Sequence, residues 1–205
     1  MNAASSLLEA TSPQVLISYG IAGAIRKDLS IGDVVISQQT CLLENGYLGE
    51  LKQLAGLSRK VWITAEEVLQ QARTSLIPGT AITTRTSQLD LDELTYLKNP
   101  ILEMETFGIA QVAEGHAIPL LSVRSISDSP QQPIPFNLEN IYGEKDDLRL
   151  SSLFHLILKQ PQILLKLSYV IRNSRIAANH AARVVQAILN ESSLLIKLPE
   201  TSDLL

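Results

Sequence analysis

Three carboxylates stand where an α/β sheet could use them for chemistry. Ile101-Leu102-Glu103-Met104-Glu105-Thr106 reads as an apolar strand ending in two acids, and Val123-Arg124-Ser125-Ile126-Ser127-Asp128 as a second strand ending in a third. In open α/β sheets, ligands bind beyond the carboxyl ends of the strands. Glu103 and Glu105 would share a face if the chain stays extended, whereas at a helix start one of them would cap N–H groups. A carboxylate accepts without donating, so Glu105 suits a pair of hydroxyls. Asp128 precedes a segment carrying Pro130, Pro133 and Pro135. By itself it reads as a turn or cap residue.

A second constellation lies upstream. The apolar run Val15–Ser18 leads into Tyr19-Gly20-Ile21-Ala22-Gly23, and Ile31-Gly32-Asp33-Val34-Val35 follows at a short spacing. By themselves the two glycines describe a tight strand-to-helix turn. Taken in order with the acidic motifs, they resemble the purine nucleoside phosphorylase and nucleosidase superfamily. The resemblance runs over nearly the whole chain.

That resemblance implies an α/β fold, a single three-layer domain over residues 1–205 with a mixed, largely parallel sheet. It implies cleavage of the N-glycosidic bond of a purine nucleoside, adenine being the expected base, by phosphorolysis or hydrolysis. In this reading Asp128 assists the leaving base at N7, and Met104 and Glu105 hold the ribose. Ile82, Thr83 and Ser127 meet the base, while Gly20, Ile21 and Gly23 form a loop on the nucleophile's side. No organic cofactor or metal is implied, phosphate being a possible co-substrate, and homo-oligomers are common in the family. Phosphorolytic members often carry an arginine two residues before the first glycine and a hydroxyl just after it. Ser18 and Ile21 occupy those positions here, which weakens the case for phosphorolysis because a phosphate dianion needs cations or several N–H donors.

The C-terminal third resembles the hopanoid-associated phosphorylase branch, whose members are thought to act on an adenosyl-hopane. Its leucine-rich helices read as the lining of a lipid-sized pocket or as ordinary amphipathic helices packed on a sheet. Family members also open with a strand, a loop and a hairpin region ahead of the helix that Ala3–Ala10 resembles. The expectation is therefore that this piece lies upstream, comes from another chain, or has been lost together with catalysis. The rival to an enzyme is an inactive nucleoside-binding or regulatory protein that keeps the fold.

Composition narrows the setting. The 205 residues are 45% hydrophobic, and 17 basic against 21 acidic residues leave a net charge of −4. Such a chain offers no electrostatic footprint for nucleic acid. The arginines between Arg172 and Arg183 follow a helical pattern and read as a solvated face. A lone Cys41 excludes an internal disulfide and suits a reducing compartment. His116, His155 and His180 show no ligand spacing. Residues 1–12 lack the basic start and apolar run of a leader, and no stretch reaches the roughly 20 apolar residues that span a bilayer. The expectation is a cytoplasmic protein binding a small nucleoside.

The elements that must position these residues follow from periodicity. A helix is predicted over residues 3–11, strands over 15–18 and 33–37, and a helix opening at the capping box Thr64-Ala65-Glu66-Glu67 and running to about Ser75. Pro78-Gly79 should end that connection, with a strand over Thr80–Thr84. Then come a strand into Leu102, a helix over 106–115, a strand over 120–125, an irregular segment over 129–140, and helical patterns over 148–159 and 162–190.

Overall fold

The structure is a computed structural model that describes residues 3–11, 13–84, 94, 96–133 and 163–191. Among the described residues, seven strands and four helices follow in the order α1 (Ala3–Ala10), β1 (Leu16–Ala24), β2 (Val34–Glu44), β3 (Tyr47–Leu48), β4 (Lys52–Gln53), α2 (Arg59–Gln70), β5 (Leu76–Thr83), β6 (Pro100–Glu103), α3 (Thr106–Gly115), β7 (Leu120–Asp128) and α4 (Ile163–Asn190). The helical pattern expected over 148–159 lies outside the described residues, as do residues 134–140 of the proline-bearing segment.

The sheet is mixed, as expected. β2 runs parallel to β5, β5 to β6, and β1 to β7, while β6 meets β1 and β7 meets β2 in antiparallel fashion. These pairings close on themselves, because the β2–β7 contact joins the two ends of the path β2-β5-β6-β1-β7. Each strand of the ring contributes to one plug of small and branched side chains: Ala22 and Ala24, Val35, Ala81, Ile101 and Ile126. Every residue of β7 up to Ser127 is buried, as a strand covered on both faces should be. Among the described residues, the second edge of β1 is paired only at Gly23 and Ala24.

Helices complete the layers. α2 presents Val61, Ala65 and Leu69 at helical spacing, and these pack with Val184 and Ile188 of α4 over Val34, Ile36, Leu121 and Val123. On the other side Ala110 and Ala113 of α3 pack on Leu16, Leu54 and Leu120.

Three local expectations are corrected. The Gly20–Gly23 segment is part of β1, since β7 pairs with it throughout and neither glycine takes a positive φ. α2 starts at Arg59, where the Ser58 hydroxyl accepts from Val61 N at 3.4 Å, so Thr64–Glu67 lies inside the helix. Pro78 and Gly79 belong to β5, where Gly79 clears Asn99 O and Val35 Cγ1. A Cβ there would come within 2.6 Å of each.

Candidate active site

The polar centre of the molecule is an ion pair between β6 and β7. Arg124 and Glu103 side chains are 2% and 3% exposed, and Arg124 Nη2 lies 3.2 Å from Glu103 Oε2. The same Glu103 oxygen accepts from Glu105 N at 3.0 Å, Thr106 N at 2.8 Å and Thr106 Oγ1 at 2.7 Å. Its other oxygen accepts from the Thr83 hydroxyl, which in turn receives Phe107 N at 2.8 Å. Arg124 Nη2 also donates to Ser18 Oγ at 2.9 Å and Thr106 Oγ1 at 3.0 Å. Burial pushes the Glu103 carboxyl up, but the Arg124 cation and the hydrogen bonds from Thr83, Thr106 and Glu105 N outweigh it. They hold the group below its ordinary value.

Glu103 therefore caps α3 and anchors β6, β7 and β1 together. Glu105 occupies the N-cap position but makes no side-chain cap hydrogen bond. Its side chain is 72% exposed, with Oε2 3.9 Å from Arg124 Nη2. Of the two acids that spacing alone left undecided, Glu103 is the structural one and Glu105 the accessible one. Met104 between them is 52% exposed, and Ile21 on β1 is also open to solvent.

Asp128 ends β7, and an irregularity in the ladder places it. Ala22 pairs with Ile126 and Gly23 with Asp128, so Ser127 is an extra residue on β7. Bulges of this kind bend a strand and re-aim the next side chain. The Ser127 hydroxyl donates to Asp128 Oδ1 at 2.7 Å and approaches Ala22 O at 3.3 Å. Gly23 is needed for space: a Cβ there would stand 2.7 Å from Asp128 Oδ2. Burial raises the Asp128 carboxyl above its ordinary value, and the Ser127 hydrogen bond only partly offsets this. Tyr169 of α4 senses the same carboxylate; burial first, then the charge of Asp128, raises its phenol.

Other residues singled out in the sequence have structural positions. Ile82 is fully buried in a cluster with Cys41, Leu43 and Leu94, so its side chain packs the core and does not form a floor for a base. The Thr83 hydroxyl is engaged by Glu103 and Phe107 N, as described above. Asp33 accepts from Ser30 N at 2.8 Å and Ser75 N at 2.9 Å, while Gly32 N and Ile126 N bond to Ile126 O and Asp33 O. The Gly32-Asp33 pair is thus a clasp that stitches its turn to β7. Arg26 pairs with Asp28 at 2.6 Å on the surface. Cys41 is buried, which pushes its thiol to about 11. Sequence reasoning assigned no role to Arg124, Ser18 or Thr106. The signal was available: a single cation among the apolar and hydroxyl residues of a buried strand must have a partner.

The chain and its fold match known proteins. The family model described as the phosphorylase superfamily matches residues 2–147. The chain belongs to that superfamily. A 5'-methylthioadenosine/S-adenosylhomocysteine nucleosidase of Maridesulfovibrio salexigens is 28% identical over 141 residues, 61% of this chain and 61% of the relative. The enzyme of the same name from Listeria welshimeri is 29% identical over 144 residues, 62% of each. The chain thus spans about three fifths of the length of these relatives. Among solved structures, the nucleosidase of Colwellia psychrerythraea in complex with adenine gives a TM-score of 0.60 at 16% identity, over 91% of this chain and 71% of that one. Futalosine hydrolase of Helicobacter pylori gives 0.59 at 17% identity, over 92% and 72%. These likenesses establish the superfamily fold.

Two outcomes test the geometry. Glu103→Gln leaves Arg124 buried without its counter-charge, so it should destabilise by about 3–5 kcal/mol at neutral pH. Because the folded carboxyl sits below the ordinary 4.5, that contribution is present above 4.5 and fades as pH falls through the folded value. The melting-temperature gap to wild type should therefore narrow in acid, and a constant gap would contradict the ion-pair account. Separately, Gly23→Ala should displace Asp128 and lower any turnover that depends on it by roughly 100-fold. Gly20→Ala, whose Cβ meets Arg124 Nη1 at an ordinary 3.7 Å, should be mild; equal losses would show that Asp128 is not what Gly23 protects.

Proposed function

We propose that the protein cleaves the N-glycosidic bond of an adenine nucleoside, with water as the nucleophile. The observation that carries this reading is Asp128: a half-buried carboxyl at a strand end, aimed by a bulge and pushed toward its protonated form. A purine leaves poorly as an anion, and an acid at N7 removes that difficulty. The C1′–N9 electron pair passes to the base as Asp128 supplies a proton, and a C1′–O bond forms from water, whose released proton passes to bulk solvent and is returned to Asp128 before the next turnover. Such a positioned acid is worth roughly 10²–10⁴-fold.

Glu105 and Met104 supply the sugar side. The exposed Glu105 carboxylate accepts from both ribose hydroxyls, and charge-assisted bonds of this kind contribute roughly 1.5–3 kcal/mol each. Met104 packs on the ring. Ser127 would meet the base only through the carboxyl it already holds, and Ile21 and the two glycines face the nucleophile's side on a strand. Water is favoured over phosphate by charge: the guanidinium that reaches this strand, Arg124, is already balanced by Glu103 at 3.2 Å, leaving little to attract a dianion. The relatives' names, nucleosidases acting on methylthioadenosine and adenosylhomocysteine, support the same reaction and base.

The test is release of free adenine from methylthioadenosine, adenosylhomocysteine and adenosine, with and without phosphate. Release without phosphate is expected, and Asp128→Asn should reduce it roughly 10²–10⁴-fold. Release that requires phosphate overturns the choice of nucleophile; adenine binding without release points to a nucleoside-binding protein. Glu105→Gln should weaken ribonucleosides far more than 2′-deoxynucleosides, measured as kcat/KM, whereas equal loss on both would make Glu105 structural.

A further inference from the structure

We propose that Asn173 of α4 is a positioning residue for Asp128, acting through Gln132 and the turn that follows β7. The inference rests on the reading of Asp128 as the acid. Directly after Asp128 the chain folds back on itself: Ser129 N donates to Gln132 O at 3.2 Å and Gln132 N to Ser129 O at 2.9 Å. This closed turn is the immediate continuation of the carboxyl-bearing residue, so whatever holds it also sets the direction of the Asp128 backbone.

Among the described residues, two side-chain contacts hold the turn. Gln131 Nε2 donates to Lys27 O at 2.6 Å in an exposed setting. Asn173 Nδ2 donates to Gln132 Oε1 at 3.1 Å, and Asn173 is only 2% exposed. A hydrogen bond in solvent exchanges readily with water, whereas a buried amide without its partner carries the full cost of desolvation. The second contact is therefore the one that fixes a position.

Asn173 is also out of place chemically. The same face of α4 continues through Ala177, Ala181 and Val184, all fully buried, where a polar side chain is expected only with a partner. One turn earlier on that face stands Tyr169, which feels the charge of Asp128. The buried amide and a phenol that responds to the Asp128 charge thus lie on one helix face.

The experiment measures kcat and KM on whichever adenine nucleoside the wild-type chain cleaves. Gln132 is exposed, so Gln132→Ala removes the contact without emptying the core and carries the test even if Asn173→Leu folds poorly. Each variant should lower kcat roughly 10- to 100-fold with KM within about twofold, as expected for a displaced acid. Gln132→Glu keeps the acceptor and should stay within a few-fold of wild type. The double variant should be no worse than either single one, because both remove the same brace. Unchanged kcat in Gln132→Ala, a rise in KM alone, or losses that multiply would overturn the inference. A wild-type chain that releases no adenine would overturn the catalytic reading and this inference with it; an active wild type with indifferent Gln132→Ala overturns only the brace.

Discussion

The buried pair between Arg124 and Glu103 is the interaction on which the rest of the architecture depends. Two ions taken out of water are costly to each other's surroundings unless every remaining donor and acceptor is satisfied. Here three elements supply partners: Ser18 on β1, Thr83 on β5, and Thr106 with the first N–H groups at the start of α3. The pair, itself carried by β6 and β7, therefore sets the mutual placement of β1, β5, β6, β7 and α3. A hydrophobic plug of alanines, valine and isoleucines inside the ring supplies cohesion with little directional preference. The ion pair supplies direction.

One consequence is a division of labour between chemically identical groups. Glu103, Glu105 and Asp128 are all carboxylates at strand ends, yet their surroundings differ, and they push Glu103 and Asp128 in opposite directions. Glu103 is surrounded by donors and held ionised. Asp128 has one hydroxyl donor, and burial favours its neutral form. Glu105 is left in solvent with the Arg124 cation 3.9 Å away. Environment thus makes one carboxylate a fixed anion, pushes a second toward its neutral form and leaves a third in solvent.

Much of this was legible in the sequence, and the parts that were not share a cause. The acid-bearing strand ends, the helix over 106–115 and the long C-terminal helix follow from apolar runs and turn residues, which are local signals; the mixed sheet was implied by the family resemblance. The Gly20–Gly23 segment misled because glycines between apolar residues look like a turn. Only the neighbouring strand shows that both glycines lie inside a ladder and that Gly23 makes room for Asp128. Pro78 and Gly79 misled in the same way, since the requirement they meet comes from Asn99 and Val35. Ile82 and Thr83 were assigned by resemblance to a base subsite; the core and the Glu103 network claim them. Which of Glu103 and Glu105 would cap α3 is a matter of one backbone turn, and spacing is silent on it.

The ladder that joins β1 to β7 links residues about a hundred positions apart; Ser18 and Arg124 are separated by 106. Pairings of such long range are slow to form, because a large loop must close before any contact rewards it. β1 is also a poor strand on its own merits, with two glycines in nine residues. During synthesis, then, the glycine strand leaves the ribosome long before its partner exists and has little reason to order by itself. The charge cluster and the carboxyl at Asp128 come into being together, late and in one step, when β7 arrives.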